Sequence, residues 1–223
     1  MAVQIKMLEE KLKAAWYWIA RWICRLFCIL FFQVRTYGRD NIPRKGPFII
    51  VSNHQSYLDP IFCAGPINRQ SNFIARDTLF TNRFFDLLIS SVNAIPLKQG
   101  EPDISAMRKV LEKLKKGGGV TLFPEGTRSC DGKINSFKPG LALLSRRGNA
   151  PIVPVLIDGA FECWPRNKIL FTPGQIHVTY GKPITVERVR DMGDKKLAEF
   201  LTETLRKMQT QSRIKQGKKP YDY

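Results

Sequence analysis

Histidine, the usual general base of enzymes, is scarce in this sequence, since its 223 residues include only His54 and His177. The five cysteines are scattered and form no CxxC pair, so the sequence indicates neither a zinc site nor a disulfide framework. They are typical of reduced cytosolic thiols. A signal-peptide cleavage site, internal repeats and low-complexity segments are also absent. A chain of this length therefore fits one domain with a substantial core.

Acidic residues are few relative to basic ones, with 19 Asp and Glu against 36 Lys and Arg, and the net charge is +17. This imbalance favours an anionic partner, such as nucleic acid, an acidic membrane surface, or a phosphorylated or CoA-type ligand. The basic residues form no zinc finger or aromatic RNA-binding module. We therefore predict that the chain does not bind nucleic acid.

Residues 14–32 are apolar and aromatic, apart from Arg21 and Arg25. These two arginines are four residues apart, on one helical face, which predicts a helix lying among lipid headgroups with its guanidinium groups near phosphates. A helix packed on the protein's own core and a membrane-spanning helix remain alternatives. We predict a membrane-associated helical anchor over residues 1–34 and a catalytic domain over residues 35–223.

Two polar segments each follow an apolar strand. Residues 47–51 predict a buried strand, and His54 and Asp59 come directly after it. Residues 119–123 predict a second strand, which leads into Glu125 and the residues beyond it. In a parallel sheet the two strand ends meet at one edge, where open α/β folds place their sites.

His54 is the better candidate for a general base. Asp59 can accept a proton from one nitrogen of its ring and leave the other nitrogen free. His177 lies in an alternating strand, of which one face is commonly solvated. An ordinary structural histidine and carboxylate pair is the alternative interpretation of His54 and Asp59.

The Asn-His-x4-Asp and Phe-Pro-Glu-Gly-Thr-Arg motifs together resemble the glycerolipid acyltransferases, specifically the 1-acylglycerol-3-phosphate acyltransferase family. The resemblance implies that His54 and Asp59 are the catalytic dyad. It also implies that a second group of residues helps to hold the phosphorylated glycerol substrate: Glu125, Gly126, Thr127 and Arg128.

One departure from the family lies in the predicted strand 93–99. The family has an arginine there that contacts the substrate phosphate, whereas this chain has Gln99 with Lys98 beside it. A lysine supplies a point charge but not the two-pronged contact of arginine. We predict Lys98 as a phosphate ligand and Arg76 as a further one, with a surface salt bridge as the alternative for Arg76.

The remaining pattern alternates strands and helices, which predicts a single α/β domain with a mixed, largely parallel sheet flanked by helices. Pro154 predicts an edge strand or a break in pairing. The basic tail from Arg206 to Tyr223 predicts a solvated, frayed end, with anionic lipid as a weaker alternative. Further helices are predicted over residues 79–88, after Asp103, within 137–148, and through Leu197, Leu201, Leu205 and Met208.

The resemblance implies transfer of an acyl group from a thioester of CoA or acyl carrier protein to the sn-2 hydroxyl of 1-acylglycerol 3-phosphate. It implies no bound cofactor or metal, and a phospholipid membrane and a lysophospholipid as partners, with the catalytic domain on the cytoplasmic side. Another lysophospholipid or polyol phosphate is an alternative acceptor. A serine hydrolase using Ser56 or Ser129, which lacks the G-x-S-x-G elbow, and a non-catalytic lipid-binding protein are the rivals.

Overall fold

The computed structural model describes residues 2–76, 94–97 and 104–223. The helix predicted at 79–88 and the helix cap predicted at Asp103 lie outside these residues. The helices are α1 (Ala2–Phe31), α2 (Asp59–Ala64), α3 (Ile104–Lys115), α4 (Leu141–Gly148), α5 (Ala160–Cys163) and α6 (Val186–Lys215). The strands are β1 (Phe32–Tyr37), β2 (Phe48–Ser52), β3 (Ser71–Arg76), β4 (Ala94–Leu97), β5 (Gly119–Leu122), β6 (Ile152–Asp158) and β7 (Gly174–Tyr180).

The strands form one seven-stranded sheet in the order β1-β7-β6-β2-β5-β3-β4. Neighbouring strands are parallel, except that β6 and β7 are antiparallel. The prediction of an α/β domain with a mixed, largely parallel sheet is confirmed. Since β2 pairs directly with β5, the segments that follow these two strands emerge side by side at one edge.

The core lies on both faces of the sheet. All five residues of β2 are buried, as expected for a central strand covered on both sides. Ile49 and Val51 face the cluster that includes α3, α4 and α6, whereas Phe48 and Ile50 face the cluster that includes α1 and α2. This alternation follows from the two-residue period of a strand.

Helix α1 ends three residues earlier than the predicted anchor segment. Phe32 begins β1, which pairs in parallel with β7, so Phe32 and Val34 lie in the sheet rather than in a helix. The unbroken apolar run conceals this boundary, because the alternation of β1 begins only at Phe32, which is buried. Within the described ranges, we find no helix with the length and apolar character needed to cross a membrane.

Arg21 does not lie among lipid phosphates, and the expectation that it does is wrong. Its side chain is buried. Nε and Nη2 donate to the carbonyl oxygen of Gly65, at 3.2 and 3.1 Å, and Nη2 also donates to the carbonyl oxygen of Ile67. These carbonyls follow α2, where helix ends leave acceptors free for a cation. Arg25 lies over the ring of Trp22, 5.2 Å from its centre.

Pro154 neither places β6 at an edge nor breaks its pairing, so that prediction is wrong. Strand β6 lies between β7 and β2, and Pro154 is the register partner of Val51 in β2. The carbonyl oxygen of Pro154 accepts from Gly181 N–H at 2.8 Å, just beyond the end of β7. The nitrogen of a strand residue faces the same neighbour as its carbonyl, so the missing N–H faces the segment after β7 and costs no bond to β2.

The tail predicted to be frayed is ordered. Helix α6 continues to Lys215, and two tyrosines beyond it pack on the domain. Arg213 lies over the ring of Tyr221 at 4.1 Å, and Arg206 lies over the ring of Tyr223 at 4.7 Å. The basic tail packs on the domain because its tyrosine rings lie against arginine stems and guanidinium groups.

Candidate active site

The segment after β2, residues 53–59, is the β2 corner. Asn53 is fully buried and opens it. Its Nδ2 donates to the carbonyl oxygen of Ile157, and Ile157 N–H donates to its Oδ1, both at 2.8 Å. An amide side chain thus continues the pairing of β2 with β6 by one residue and fixes where His54 leaves the sheet. The motif pattern does not predict this role, although an amide residue between an apolar strand and a candidate histidine is its signal.

His54 and Asp59 form a direct pair. His54 Nδ1 lies 2.7 Å from Asp59 Oδ2. The same oxygen accepts the backbone N–H groups of Gln55 at 2.5 Å and Ser56 at 2.7 Å. Asp59 is the first residue of α2 and is fully buried, so the helix start and two main-chain donors fix the carboxylate. The fixed carboxylate in turn orients the imidazole.

The other ring nitrogen of His54 is the one available for chemistry. With Asp59 on Nδ1, the imidazole carries its proton there and leaves Nε2 as an acceptor. No side chain in the described part of the molecule bonds Nε2. The side chain is 22% exposed, and its ring stacks on Phe123, with ring centres 4.4 Å apart. This geometry lets Nε2 accept a proton from a hydroxyl group.

The segment after β5, residues 123–129, is the β5 corner, and Glu125 joins it to the β2 corner. Its Oε1 accepts His54 N–H at 2.8 Å. Its Oε2 accepts the backbone N–H and the side-chain Nδ2 of Asn135, at 3.0 and 2.9 Å. Burial raises the pKa of Glu125, and these hydrogen bonds oppose the rise. Both carboxylate oxygens are therefore used by the protein itself to hold the site together.

Gly126 makes the turn of the β5 corner. Its N–H donates to the carbonyl oxygen of Phe123 at 3.1 Å, and its φ is 72°, a conformation that favours glycine. A Cβ at this position would come within 2.9 Å of Lys138 Nζ. Beyond the turn and the half-buried Thr127, Ser129 N–H donates to the carbonyl oxygen of His54 at 2.7 Å. The two corners are thus bonded to each other twice.

Arg128 brings a cation to the same place. Its guanidinium carbon lies 3.5 Å from the ring centre of Tyr57, which belongs to the β2 corner. Its Nη1 is buried and has no hydrogen-bond partner among the described residues. Buried donors are normally paired, so an anion is the natural partner for this one. The role of Tyr57 was not predicted, although an aromatic residue inside the His-x4-Asp motif is its signal.

Comparison with known proteins agrees with this arrangement. A sequence profile of the acyltransferase family matches residues 33–158, more than half of the chain, including both corners. The chain belongs to the acyltransferase family.

Its relatives include a chloroplastic 1-acyl-sn-glycerol-3-phosphate acyltransferase of Arabidopsis thaliana, 32% identical over 69% of this chain and 44% of the relative. The 1-acyl-sn-glycerol-3-phosphate acyltransferase of Bacillus subtilis is 27% identical over 77% of this chain and 84% of the relative. The chain spans less than half the length of the Arabidopsis thaliana relative and of a chloroplastic relative from Brassica napus, 44% and 46% respectively. The crystal structure of the LPA acyltransferase PlsC of Thermotoga maritima is similar, with a TM-score of 0.74, 29% identity, and coverage of 90% of this chain and 81% of that one.

The other predicted site residues of this acyltransferase-family chain are placed only in part. Arg76 is the last residue of β3, next to β5, so its backbone lies at the same edge, but its side chain is outside the described part. Lys98 lies outside the described residues. The two serines considered as nucleophiles bond elsewhere. Ser56 Oγ accepts Leu58 N–H at 3.4 Å, and Ser129 Oγ donates to Asp131 at 3.1 Å.

His177 is buried rather than solvated. Its ring stacks on Tyr37, with centres 5.8 Å apart, and lies opposite Asp158 in the β6–β7 register. Burial lowers the pKa of His177, which disfavours its charged form. His177 is therefore not part of the candidate active site.

A further layer braces the site from behind. The carbonyl oxygen of Gly132 accepts Gln55 Nε2 at 2.7 Å and Gln209 Nε2 at 3.1 Å. The hydroxyl of Tyr223 accepts Ile134 N–H at 3.0 Å and donates to Gln209 Oε1. Helix α6 and the tail thus hold the segment that contacts the residue next to His54. This layer was not predictable from sequence patterns, because its members are far apart in the chain.

Proposed function

We propose that this chain transfers a fatty acyl group from a thioester to the sn-2 hydroxyl of 1-acylglycerol 3-phosphate, forming phosphatidate. The observation that carries the proposal is the His54–Asp59 pair, with a free Nε2, beside the unpaired guanidinium nitrogen of Arg128. One group takes a proton and the other binds an anion. The names of the relatives from Arabidopsis thaliana and Bacillus subtilis support this acceptor.

In the proposed reaction, His54 Nε2 removes the proton of the acceptor hydroxyl as that oxygen attacks the thioester carbonyl carbon. Asp59 stabilises the imidazolium through Nδ1–H. The tetrahedral intermediate then expels the thiolate, which takes the proton from Nε2, so the products are the ester and a free thiol. General-base help of this kind contributes about 10² to 10⁴ in rate. No acyl-enzyme is needed.

Arg128 binds the phosphate of the acceptor, because a planar guanidinium forms strong paired contacts with phosphate oxygens. Tyr57 supports the guanidinium from one side and limits its motion. Glu125, Gly126 and Thr127 shape the corner that presents it, while Lys98 and Arg76 are further candidates for the same phosphate. The acyl donor is a thioester of CoA or acyl carrier protein.

The chain works at a phospholipid membrane, with its catalytic domain on the cytoplasmic side. The support is the exposed apolar surface of α1, which includes Trp16, Ile19, Trp22, Ile23 and Leu26. Large contiguous apolar surfaces on a folded protein mark interaction sites, and aromatic residues favour the membrane interface. The net charge of +17 favours anionic lipid.

The test is acyl transfer by the purified chain in mixed micelles of detergent, acyl-CoA and lysophosphatidate. We expect thiol release that depends on the acceptor and yields phosphatidate. Lysophosphatidylcholine and glycerol 3-phosphate, offered in place of lysophosphatidate, are expected to react far more slowly. If the thiol were released in the absence of an acceptor and free fatty acid were formed, the chain would instead be a hydrolase. Absence of any turnover, with lipid binding retained, would indicate a non-catalytic lipid-binding protein.

A further inference from the structure

The segment between α5 and β7, residues 164–171, forms a closed loop with a defined shape. Its base is closed by Thr172 N–H, which donates to the carbonyl oxygen of Cys163 at 2.8 Å. The backbone of Lys168 bonds to the start of the loop. Its N–H donates to the carbonyl oxygen of Pro165 at 3.2 Å, and its carbonyl oxygen accepts Trp164 Nε1 at 3.1 Å. We call this segment the 164–171 loop.

The tip of the 164–171 loop carries two adjacent apolar side chains that face solvent. Ile169 is 91% exposed and Leu170 is 79% exposed, the highest values among the large apolar side chains of the described residues. Arg166 and Lys168 beside them are also exposed. Hydrogen bonds within the loop fix its shape and so keep these two side chains exposed. An apolar tip next to cations matches the boundary between acyl chains and anionic headgroups.

The tip continues the exposed apolar surface of α1. Phe171, next to Leu170, packs against the end of α1 and the start of β1. Its ring centre lies 5.4 Å from that of Phe27, 5.3 Å from that of Phe31 and 5.5 Å from that of Phe32. Exposed side chains of α1 on this half of the helix include Leu26, Ile29 and Leu30. The loop tip and α1 thus form one apolar surface.

The same loop contacts the candidate active site on its other side. Trp164 lies between the two regions, with its ring centre 5.8 Å from that of Phe171 and 5.3 Å from that of Tyr57. Tyr57 in turn lies under the guanidinium of Arg128. A continuous row of aromatic contacts therefore runs from α1, through the loop, to the proposed phosphate ligand.

We propose that Ile169 and Leu170 insert into an anionic phospholipid bilayer beside α1, as a second point of membrane contact on the same apolar surface. Two points of contact fix the orientation of a protein on a surface, whereas a single helix allows rotation about its axis. The row of aromatic contacts then sets Arg128 near headgroup level, where the phosphate of a lipid acceptor lies. This last consequence rests on the proposed function, but insertion of the loop does not.

The first test measures binding of the full chain to vesicles of phosphatidylcholine and phosphatidylglycerol by co-sedimentation, at lipid concentrations that bind half of the protein. We expect the double variant Ile169→Ser/Leu170→Ser to need at least about tenfold more lipid to bind half of the protein, because it loses two of the apolar side chains that the bilayer would bury. The control, Ile104→Ser, removes an apolar side chain that is 67% exposed. That side chain belongs to α3, which packs in the core cluster on the opposite face of the sheet from α1, so the control is expected to bind like the parent.

A second measurement reports insertion directly, in case α1 alone dominates binding. Leu170→Cys is made in a Cys24→Ser/Cys130→Ser background, which leaves only cysteines that are buried in the structure. The new thiol carries an environment-sensitive fluorophore. We expect a blue shift and a rise in intensity on anionic vesicles, and a smaller change on pure phosphatidylcholine. The same label at Ile104→Cys should change little.

The outcomes separate this inference from the proposed function. Unchanged vesicle binding together with an unshifted label would overturn the inference, even if acyl transfer occurs in micelles. Loss of self-association in the double variant, with vesicle binding unchanged, would assign the tip to a second copy of the chain and also overturn it. A shifted label in a protein that transfers no acyl group would keep the inference and reject the proposed function. The double variant and its control should keep the parent's melting temperature.

Discussion

The two corners of the site differ in the kind of polar atom that they leave unpaired. In the β2 corner, the buried atoms without a partner in the described structure are oxygen acceptors, Oε1 of Gln55 and Oδ1 of Asp59. In the β5 corner the unpaired atom is a donor, Nη1 of Arg128. The β2 corner already holds its imidazole against a fixed carboxylate. One corner is thus arranged for proton transfer before substrate arrives, whereas the other gains its missing bond from an anion.

The largest effect should come from the β2 corner. We expect His54→Ala and Asp59→Asn each to lower the rate of acyl transfer about 10² to 10⁴-fold, and to similar extents because the pair acts as one unit. The measurement is kcat in mixed micelles, alongside a melting curve to show that each variant is folded. His177→Gln is the matched control, since that histidine lies away from the site. Substantial turnover by folded His54→Ala would refute the general-base role.

Next in size should be a loss of acceptor binding in the β5 corner. Arg128→Ala is expected to raise KM for lysophosphatidate about ten- to a hundredfold, or roughly 1.5 to 3 kcal/mol, because a charge-assisted contact is lost. KM for the thioester should change little, as should both constants in Arg147→Ala, which removes an exposed arginine of α4. If only the thioester KM rose, Arg128 would face the phosphates of the donor instead.

The link between the corners should matter for stability more than for chemistry. Glu125→Ala leaves the N–H of His54 and two donors of Asn135 without their acceptor. We expect the free energy of unfolding to fall by about 1 to 3 kcal/mol, the usual cost of stranding buried donors. Denaturant titration measures this change, with Glu199→Ala as an exposed control. A variant as stable as its parent would mean that other contacts join the corners.

The same carboxyl should give a smaller, pH-dependent effect. Burial raises the pKa of Glu125 in the folded state, so the native protein binds more protons than the unfolded chain between the ordinary and the raised pKa. Its contribution to the free energy of unfolding therefore falls as pH rises through that window. The free energy of unfolding of the parent minus that of Glu125→Gln, measured from about pH 4 to 7, should decrease with rising pH and then level off. An increase with pH would contradict the sign of this shift.

The smallest effect should come from the layer behind the corners. Tyr223→Phe removes a hydroxyl that accepts from Ile134 N–H and donates to Gln209, while keeping the ring under Arg206. We expect a loss of about 0.5 to 1.5 kcal/mol in the free energy of unfolding. Tyr223→Ala should cost more, because Arg206 also loses its aromatic contact. Equal costs for the two variants would show that the hydroxyl alone holds the tail.

Local patterns were sufficient wherever the relevant partners are close in sequence. Asp59 is five residues from His54, and the apolar strand before them marks the corner, so the pair was predictable and the geometry agrees. The mixed, largely parallel sheet was predictable from alternating strands and helices. The meeting of the β2 and β5 corners followed, because parallel strands end at one edge.

Contacts between distant segments were decided only by the tertiary structure. Arg21 gave the pattern of a lipid-facing cation, yet the carbonyls of Gly65 and Ile67 bury it. Glu125 matched a substrate-binding motif, but both of its oxygens bind protein donors. Tyr223 follows a basic stretch that is typical of a frayed tail, yet its hydroxyl accepts the N–H of Ile134. Sequence alone determined that the His54–Asp59 and Glu125–Arg128 segments meet at one edge of the sheet, since periodicity and motif spacing are local. Packing determined which of their polar atoms remain free, because that depends on partners that only folding brings together.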